Sequence, residues 1–253
     1  KNRDLNLNIR KTAFVTGANR GIGKKVTESL LKNNFDLICS VRSITQEFQN
    51  FVESCKVSDY QKITILEFSI DDYNQTKKEV QKLYKEKVVL DVLVNNAGLA
   101  HGGLFEMTSV KKIKEVFEIN FFSQIHLTQL LLRLLKKSEA GSIINIGSIS
   151  GILGDPGTIA YGSSKASFMY ATKVMSNELS RYNIRVNCIA PSITDTGMSA
   201  EMDEKASSDL LQRSYQKRKC TTDEISDLVL FLCSGKAHHL NGQIIRMDGG
   251  MSG

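Results

Sequence analysis

Ser148, followed thirteen residues later by Tyr161-Gly-Ser-Ser-Lys165, sets a hydroxyl, a phenol and an ammonium where they can share one proton-transfer site. Tyr161 and Lys165 stand at i and i+4, so a helical segment puts them on one face of adjacent turns. A phenol with an ordinary pKa of about 10 is a poor acid or base near neutrality. A nearby ammonium stabilises the phenolate, lowers that pKa and brings the phenol into use. Ser148, which ends the apolar run Ser142-Ile-Ile-Asn-Ile-Gly-Ser148, is placed to hold a substrate oxygen while Tyr161 passes it a proton. The chemistry this predicts is carbonyl reduction, or its reverse.

The tyrosine–lysine spacing does not single out the site by itself. Three of the seven tyrosines have a lysine four residues on: Tyr161/Lys165, Tyr73/Lys77 and Tyr215/Lys219. The last two fall in charged stretches and read as solvated helix faces. What distinguishes Tyr161 is its company, which begins near the N-terminus.

Lys11-Thr-Ala-Phe-Val-Thr16 is a short β-rich run, followed by Gly17-Ala-Asn-Arg-Gly-Ile-Gly23 and the helical pattern Lys24–Leu31. Strand, glycine turn and helix are the context a dinucleotide site requires. Glycines let the backbone approach a pyrophosphate, while the first helical N–H groups and the helix dipole favour its charge. The second strand, Phe35–Val41, ends with Arg42 and meets no carboxylate until Glu47. A carboxylate there would favour the ribose hydroxyls of NAD, whereas a guanidinium can bond a 2′-phosphate. With Arg20 inside the glycine turn as a second cation, the pattern predicts NADP(H) over NAD(H).

In this order, Thr16-Gly-Ala-Asn-Arg-Gly-Ile-Gly23, Asn95-Asn-Ala-Gly98, Asn120, Ser148 and Tyr161-Gly-Ser-Ser-Lys165 make the chain resemble the short-chain dehydrogenases/reductases. The likeness runs from about residue 10 to the C-terminus. Within the family, Arg185-Val-Asn-Cys-Ile-Ala-Pro191 and Asn241–Met251 are most similar to the β-ketoacyl-(acyl-carrier-protein) reductases. The resemblance implies that Tyr161 is the acid/base, Lys165 its partner and a ligand of the nicotinamide ribose, and Ser148 the substrate-oxygen anchor. It implies that Asn120, in a helix spanning Val110–Lys137, fixes a water in a proton relay behind Lys165. For the cofactor it implies Gly17, Asn19, Arg20, Gly21, Ile22 and Gly23 in the turn, and Ser69 and Ile70 at the adenine edge. Asn96, Ala97 and Gly98 line the adenine ribose, and Pro191 and Thr196 lie at the carboxamide. It also implies a homotetramer.

Three positions depart from the family pattern. Pro191 is followed by Ser192 rather than glycine, so that turn must accept a Cβ. Ser69 stands where an aspartate is common. Basic residues beside the active site dock an acidic acyl carrier protein in the carrier-protein reductases; Arg181 matches one, but Glu139 stands at another. Arg213, Lys217, Arg218 and Lys219 offer a further cationic cluster for such a partner.

These motifs need one frame to position them. At 253 residues and 41% hydrophobic content, the chain can form one large core. Alternating strand-like and amphipathic helical runs predict a single-domain, Rossmann-type α/β fold: a doubly wound parallel sheet with helices on both faces, after an N-terminal extension at residues 1–9. The loop Asp195–Thr222 is the candidate mobile segment, with short helices between Glu201 and Arg218 that close over a substrate. Together with Ile149–Thr158 it sets specificity. That leaves a carrier-linked 3-oxoacyl group, another ketone or a sugar hydroxyl as the substrate, and a nucleotide-sensing protein without turnover as the alternative class.

The five cysteines lack CxxC spacing and the four histidines form no ligand pattern, so neither a disulfide framework nor a metal site is expected. The net charge of +6 is dispersed among acids, which argues against nucleic acid. No apolar run is long enough to span a membrane, and no signal peptide is evident. Lys1 is not a start methionine, so the expectation is a trimmed chain. The expected location is the cytoplasm or another reducing compartment, such as an organelle stroma or matrix.

Overall fold

The computed structural model describes residues 10–197 and 204–251; the expected N-terminal extension and residues 198–203 of the long loop lie outside them. Seven strands form one sheet: β1 (Thr12–Thr16), β2 (Asp36–Val41), β3 (Ile63–Glu67), β4 (Val92–Asn95), β5 (Gly141–Ile146), β6 (Ile184–Pro191) and β7 (Ile244–Met247). Their spatial order is β3-β2-β1-β4-β5-β6-β7, and every pair is parallel. Parallel strands joined by helical crossovers are covered on both faces and so read as continuous apolar runs. β5, buried along its whole length, is the clearest case.

Alternation along each strand divides the core in two. Ala13 and Val15 face a layer built on α1 (Gly21–Lys32), α2 (Gln46–Ser54) and α9 (Thr222–Cys233), where Val26, Leu30, Phe48, Val229 and Leu232 are buried. Phe14 faces the other layer, where α3 (Tyr73–Lys85) and α5 (Ser123–Leu135) contribute Val80, Leu83, Leu127, Leu131 and Leu134. The remaining helices are α4 (Val110–Phe117), α6 (Ser150–Leu153), α7 (Ile159–Leu179) and α8 (Glu204–Arg213). The fold is the expected doubly wound one. Between β1 and β4 the winding reverses, which opens a crevice at the carboxyl ends of those strands.

Helix ends follow local chemistry. Thr45, Asp72 and Ser109 cap α2, α3 and α4, and Thr221 with Glu224 forms a capping box on α9. Asn183, with φ of 58°, turns the chain from the end of α7 into β6. α1, like α5, α6 and α7, has no side-chain cap: Arg20 at its N-cap makes no side-chain cap bond, and its first turn holds no acid. The expected helix Val110–Lys137 runs continuously from Val110 to Leu135 but changes pitch partway. Residues Glu118–Phe122 form a π turn between α4 and α5, in which the Ser123 N–H reaches back five residues to the Glu118 carbonyl.

A buried polar ladder crosses the middle of the sheet. Asn95 Nδ2 donates to Thr128 Oγ1 at 3.0 Å and to Asn145 Oδ1 at 2.9 Å, and Asn145 Nδ2 donates to Thr172 Oγ1 at 2.9 Å. It ties β4 and β5 to α5 and α7. Asn145→Ala removes the acceptor of one link and the donor of the next, among fully buried partners. Leaving buried groups unpaired costs about 1–3 kcal/mol each, so chemical denaturation is expected to show a loss of about 2 kcal/mol or more. A variant within 0.5 kcal/mol of wild type, as a surface change would be, would show that the ladder does not support the sheet.

Candidate active site

The residues singled out from sequence gather at the carboxyl edge of the sheet. Gly17 to Gly23 connect β1 to α1, Arg42 follows β2, Ser69 and Ile70 follow β3, and Asn96 to Gly98 follow β4. Ser148 follows β5, while Pro191 ends β6 and Thr196 lies just beyond. The glycine turn is cinched on both sides. Gly17 N–H and Ala18 N–H donate to the Ser40 carbonyl of β2 at 3.0 and 3.3 Å. Thr16 Oγ1 accepts from Asn96 N–H at 2.8 Å and Ala97 N–H at 2.9 Å, and Asn96 Nδ2 returns a bond to the Thr16 carbonyl at 2.8 Å.

Two glycines are required by position. Gly17 has φ of 62°, a left-handed conformation that side chains resist. A Cβ on Gly23 would lie 2.1 Å from the Gly17 carbonyl oxygen and 2.5 Å from Asn96 Nδ2. The N-terminus of α1 thus packs tightly against the turn with its N–H groups uncapped. Thr196 closes in from the β6 side, since a Cβ on Gly21 would meet its methyl at 3.3 Å. Asn19 is half-buried in the turn, and Ile22 packs onto the core. Arg20 and Arg42 are exposed, and no hydrogen bond or ion pair among the described residues engages either guanidinium. Ser69 gives its hydroxyl hydrogen to Asp71, leaving its lone pairs to accept. Ser192 is not among the residues with positive φ, so the turn after Pro191 accommodates its Cβ without strain.

Tyr161 stands in the first turn of α7, and Lys165 lies one turn later. The Ser148 hydroxyl lies close enough to the Tyr161 phenol to favour its phenolate. Lys165, only 3% exposed, donates from Nζ to the Ile146 carbonyl at 2.7 Å and lies 5.9 Å from the Tyr161 ring centre. A Cβ on Gly98 would lie 3.3 Å from Asn120 Oδ1 and 3.6 Å from Lys165 Nζ, so Gly98, Asn120 and Lys165 converge. Asn120 is fully buried in the π turn rather than in a regular helix. Its oxygen accepts from Leu99 N–H at 2.7 Å, and its amide donates to the Leu99 carbonyl and to Ser164 Oγ, both at 3.0 Å.

The electrostatics correct one expectation. The Tyr161 pKa is raised, not lowered: burial disfavours the phenolate and outweighs the opposing influence of the nearby Ser148 hydroxyl. Lys165 does not reverse this because it is itself desolvated, its pKa pushed down to about 8. Burial is the dominant influence on both groups.

Other expectations also change. Tyr73 is not a bare solvated face: its phenol donates to Glu118 at 2.6 Å and its ring stacks on His126. Tyr215, 83% exposed, is solvated as expected, but it lies in a turn after α8 and not on a helix face. Three members of the loop's cationic cluster have acidic neighbours within the chain. Arg213 pairs with Asp155 at 2.6 Å, Arg218 with Glu224 at 2.6 Å, and Lys219 lies 3.8 Å from Asp195. Arg181 follows the far end of α7, about 30 Å along the helix direction from Tyr161 at ~1.5 Å per residue. It lies beside Tyr182 and Lys136, not beside the catalytic candidates. Sequence reasoning passed over Thr16, Ser164 and Glu118; a polar residue ending the apolar run of β1 was the one available signal, for Thr16.

The depressed Lys165 pKa has a measurable sign. Between about pH 8 and its ordinary value of 10.5 the unfolded chain binds more protons at this residue than the folded one. Lys165 therefore makes stability rise with pH across that window, and below it charging the buried amine opposes folding. The stability of Lys165→Met relative to wild type is expected to be most favourable below pH 8 and to decline toward pH 10.5. A difference independent of pH, measured by denaturant melts, would place the lysine pKa near its ordinary value instead.

Comparisons with known proteins agree with this architecture. The family model for short chain dehydrogenase matches residues 11–207. The 3-oxoacyl-[acyl-carrier-protein] reductase FabG of Thermotoga maritima is 32% identical over 95% of this chain and 97% of its own. The protein of the same name from Chlamydia muridarum is 30% identical over 96% of this chain and 98% of its own. A short-chain type dehydrogenase/reductase from Mycobacterium ulcerans superposes with a TM-score of 0.88 at 22% identity, covering 96% of this chain and 90% of that one, a likeness of fold. With the family model spanning the sheet from β1 through β6 and the relatives spanning almost the whole chain, this chain belongs to the short-chain dehydrogenase family.

Proposed function

We propose that the chain is an NADP(H)-dependent carbonyl reductase whose substrate is a 3-oxoacyl thioester, carried on an acidic acyl carrier protein. The observation that carries the reading is the convergence of Ser148, just past β5, on the Tyr161 phenol in the first turn of α7, with buried Lys165 one helical turn away. The residues present fit a dinucleotide. α1, unlike the four side-chain-capped helices, presents bare N–H groups beside a glycine turn too tight for a Cβ at Gly23. Such a terminus suits a pyrophosphate. Arg42 and Arg20, free of carboxylate partners among the described residues, suit a 2′-phosphate.

When bound, the reduced dinucleotide supplies the hydride. Ser148 holds the substrate oxygen, and Tyr161 donates its phenolic proton to that oxygen as it gains charge. With its pKa raised by burial, the Tyr161 phenol is protonated at neutral pH, the form that can donate to a carbonyl oxygen. Lys165 supplies a positive charge below the phenol and holds the ribose side of the cofactor. Asn120 fixes the Leu99 segment beside Gly98, and with it the proton-relay end of the site.

The 3-oxoacyl substrate is drawn from the relatives' activity. The pairing of Arg213 and Arg218 and the distance of Arg181 favour a second reading, in which the substrate is a free ketone. A second copy of the chain, within a homotetramer, is proposed to cover α5 and α7. There Tyr170 and Val174 are exposed around a cleft of about 700 Å³ that Ile125 and Met175 also line. No helix among the described residues is long and apolar enough to cross a membrane, and the proposed site of action is the cytoplasm.

Turnover of one 3-oxoacyl chain, on an acidic carrier and on a small neutral thiol, tests the assignment by loss of NADPH absorbance. Tyr161→Phe is expected to lower kcat for either by ~100-fold or more, while NADPH binding holds; near-normal turnover would remove Tyr161 from the chemistry. A carrier-linked rate that falls more steeply with salt supports docking, and equal slopes favour the free ketone.

Arg42→Ala tests the cofactor. Loss of one charge-assisted contact, ~1.5–3 kcal/mol, should weaken NADPH by ten-fold or more while leaving NADH nearly unchanged. A wild type that uses NADH better than NADPH would overturn the preference.

A further inference from the structure

The π turn Glu118–Phe122 changes the pitch of one long helix. Such turns are rare and recur at functional sites. Here two polar links, one at each side, hold it in place. At its first residue, the Glu118 carboxylate accepts from the Tyr73 phenol at 2.6 Å and from Ser123 Oγ at 3.3 Å. The Tyr73 ring is held in turn by stacking on His126, centroids 4.4 Å apart. Tyr73 opens α3 directly after Asp72, so this link ties the turn after β3 to the π turn. At the third residue, Asn120 Nδ2 donates to Ser164 Oγ at 3.0 Å, and that hydroxyl donates onward to the Tyr161 carbonyl at 2.7 Å. Ser164 is fully buried and immediately precedes Lys165.

We propose that Tyr73 and Ser164 are positioning residues for the proton-transfer site, both acting through the π turn on Asn120. Neither belongs to the apolar core, and neither is assigned a contact with substrate or dinucleotide. Removing the Ser164 hydroxyl leaves one Asn120 N–H without its acceptor in a region closed to water. The amide must then rotate, which disturbs its paired bonds to Leu99 and so the Gly98 backbone beside Lys165. Removing the Tyr73 hydroxyl releases the first residue of the turn. A π turn that relaxes to α geometry loses one residue's advance, which swings the downstream helix by about 100°. Both changes reach Tyr161 and Lys165 by the same intermediary, so their effects must converge on Asn120.

The proposal rests on the carbonyl-reductase reading, and its test separates the two. Ser164→Ala and Tyr73→Phe are each expected to lower kcat about tenfold, the weight of one hydrogen bond, with KM for carbonyl and NADPH changed less than twofold. In an Asn120→Ala background neither should lower kcat further, which a merely structural role would not produce. Independently of turnover, the Asn120 side-chain amide, identified by its loss in Asn120→Ala, should exchange with solvent about tenfold faster in either variant than in wild type. Tyr73→Phe, at a partly exposed position, keeps the test available if Ser164→Ala fails to fold. Additive losses in the Asn120→Ala background, or wild-type kcat with unchanged amide exchange, would overturn the proposal. A wild type that reduces no carbonyl would overturn the reductase reading alone, and amide exchange would still decide the positioning roles.

Discussion

One hydroxyl, that of Thr16, holds together the two halves of the crevice on which everything else depends. The sheet reverses its winding between β1 and β4, so the two strands leave their carboxyl ends in divergent directions. Thr16 bridges that divergence by accepting two N–H groups of the segment after β4, while Asn96 answers with a bond to the Thr16 carbonyl. Without this clasp the glycine turn and the Asn96–Gly98 segment would be independent loops. With it, Gly98 is held where Asn120 and Lys165 meet. The proposed nucleotide and proton-transfer ends are therefore linked along one edge of the sheet.

The second constraint is the burial of Lys165. A cation at 3% exposure loses most of its hydration, and one carbonyl bond to Ile146 replaces only a part. The fold carries this unfavourable term at the centre of its site. The Asn95–Asn145–Thr172 ladder, which stabilises the surroundings, runs through Asn145, the residue before the Ile146 carbonyl that Lys165 bonds. Destabilised functional groups held by an over-determined frame are common in active sites.

Much of this was legible in the chain because the relevant signals are local. Gly17 to Gly23 announce a strand–turn–helix, and the Tyr161–Lys165 spacing announces one helix face. The apolar runs around Val15, Val94 and Ile144 announce buried parallel strands, and their positions held to within a residue or two. What was not legible depends on contacts between distant segments. The change of pitch at Glu118–Phe122 leaves no glycine or proline to mark it; it is upheld by Tyr73 from forty-five residues away and by Ser164 from beyond β5. The direction of the Tyr161 shift depends on how deeply the phenol is buried, which spacing does not encode. Arg213 and Arg218 looked like an open cluster because Asp155 and Glu224, their partners, lie on other elements.

The bare start of α1 has a consequence for the life of the protein outside catalysis. Four helices complete their first turns with their own side chains; α1 does not, as α6 and α7 do not, but only α1 starts at the glycine turn, where its N–H groups are left to a ligand. A ligand that binds only the folded form adds RT ln(1 + [L]/Kd) to stability, about 2.7 kcal/mol at a hundredfold excess over Kd. A chain built this way resists unfolding and proteolysis in proportion to the supply of its anionic ligand. Its abundance would then follow the metabolic state of the cell without any dedicated regulator.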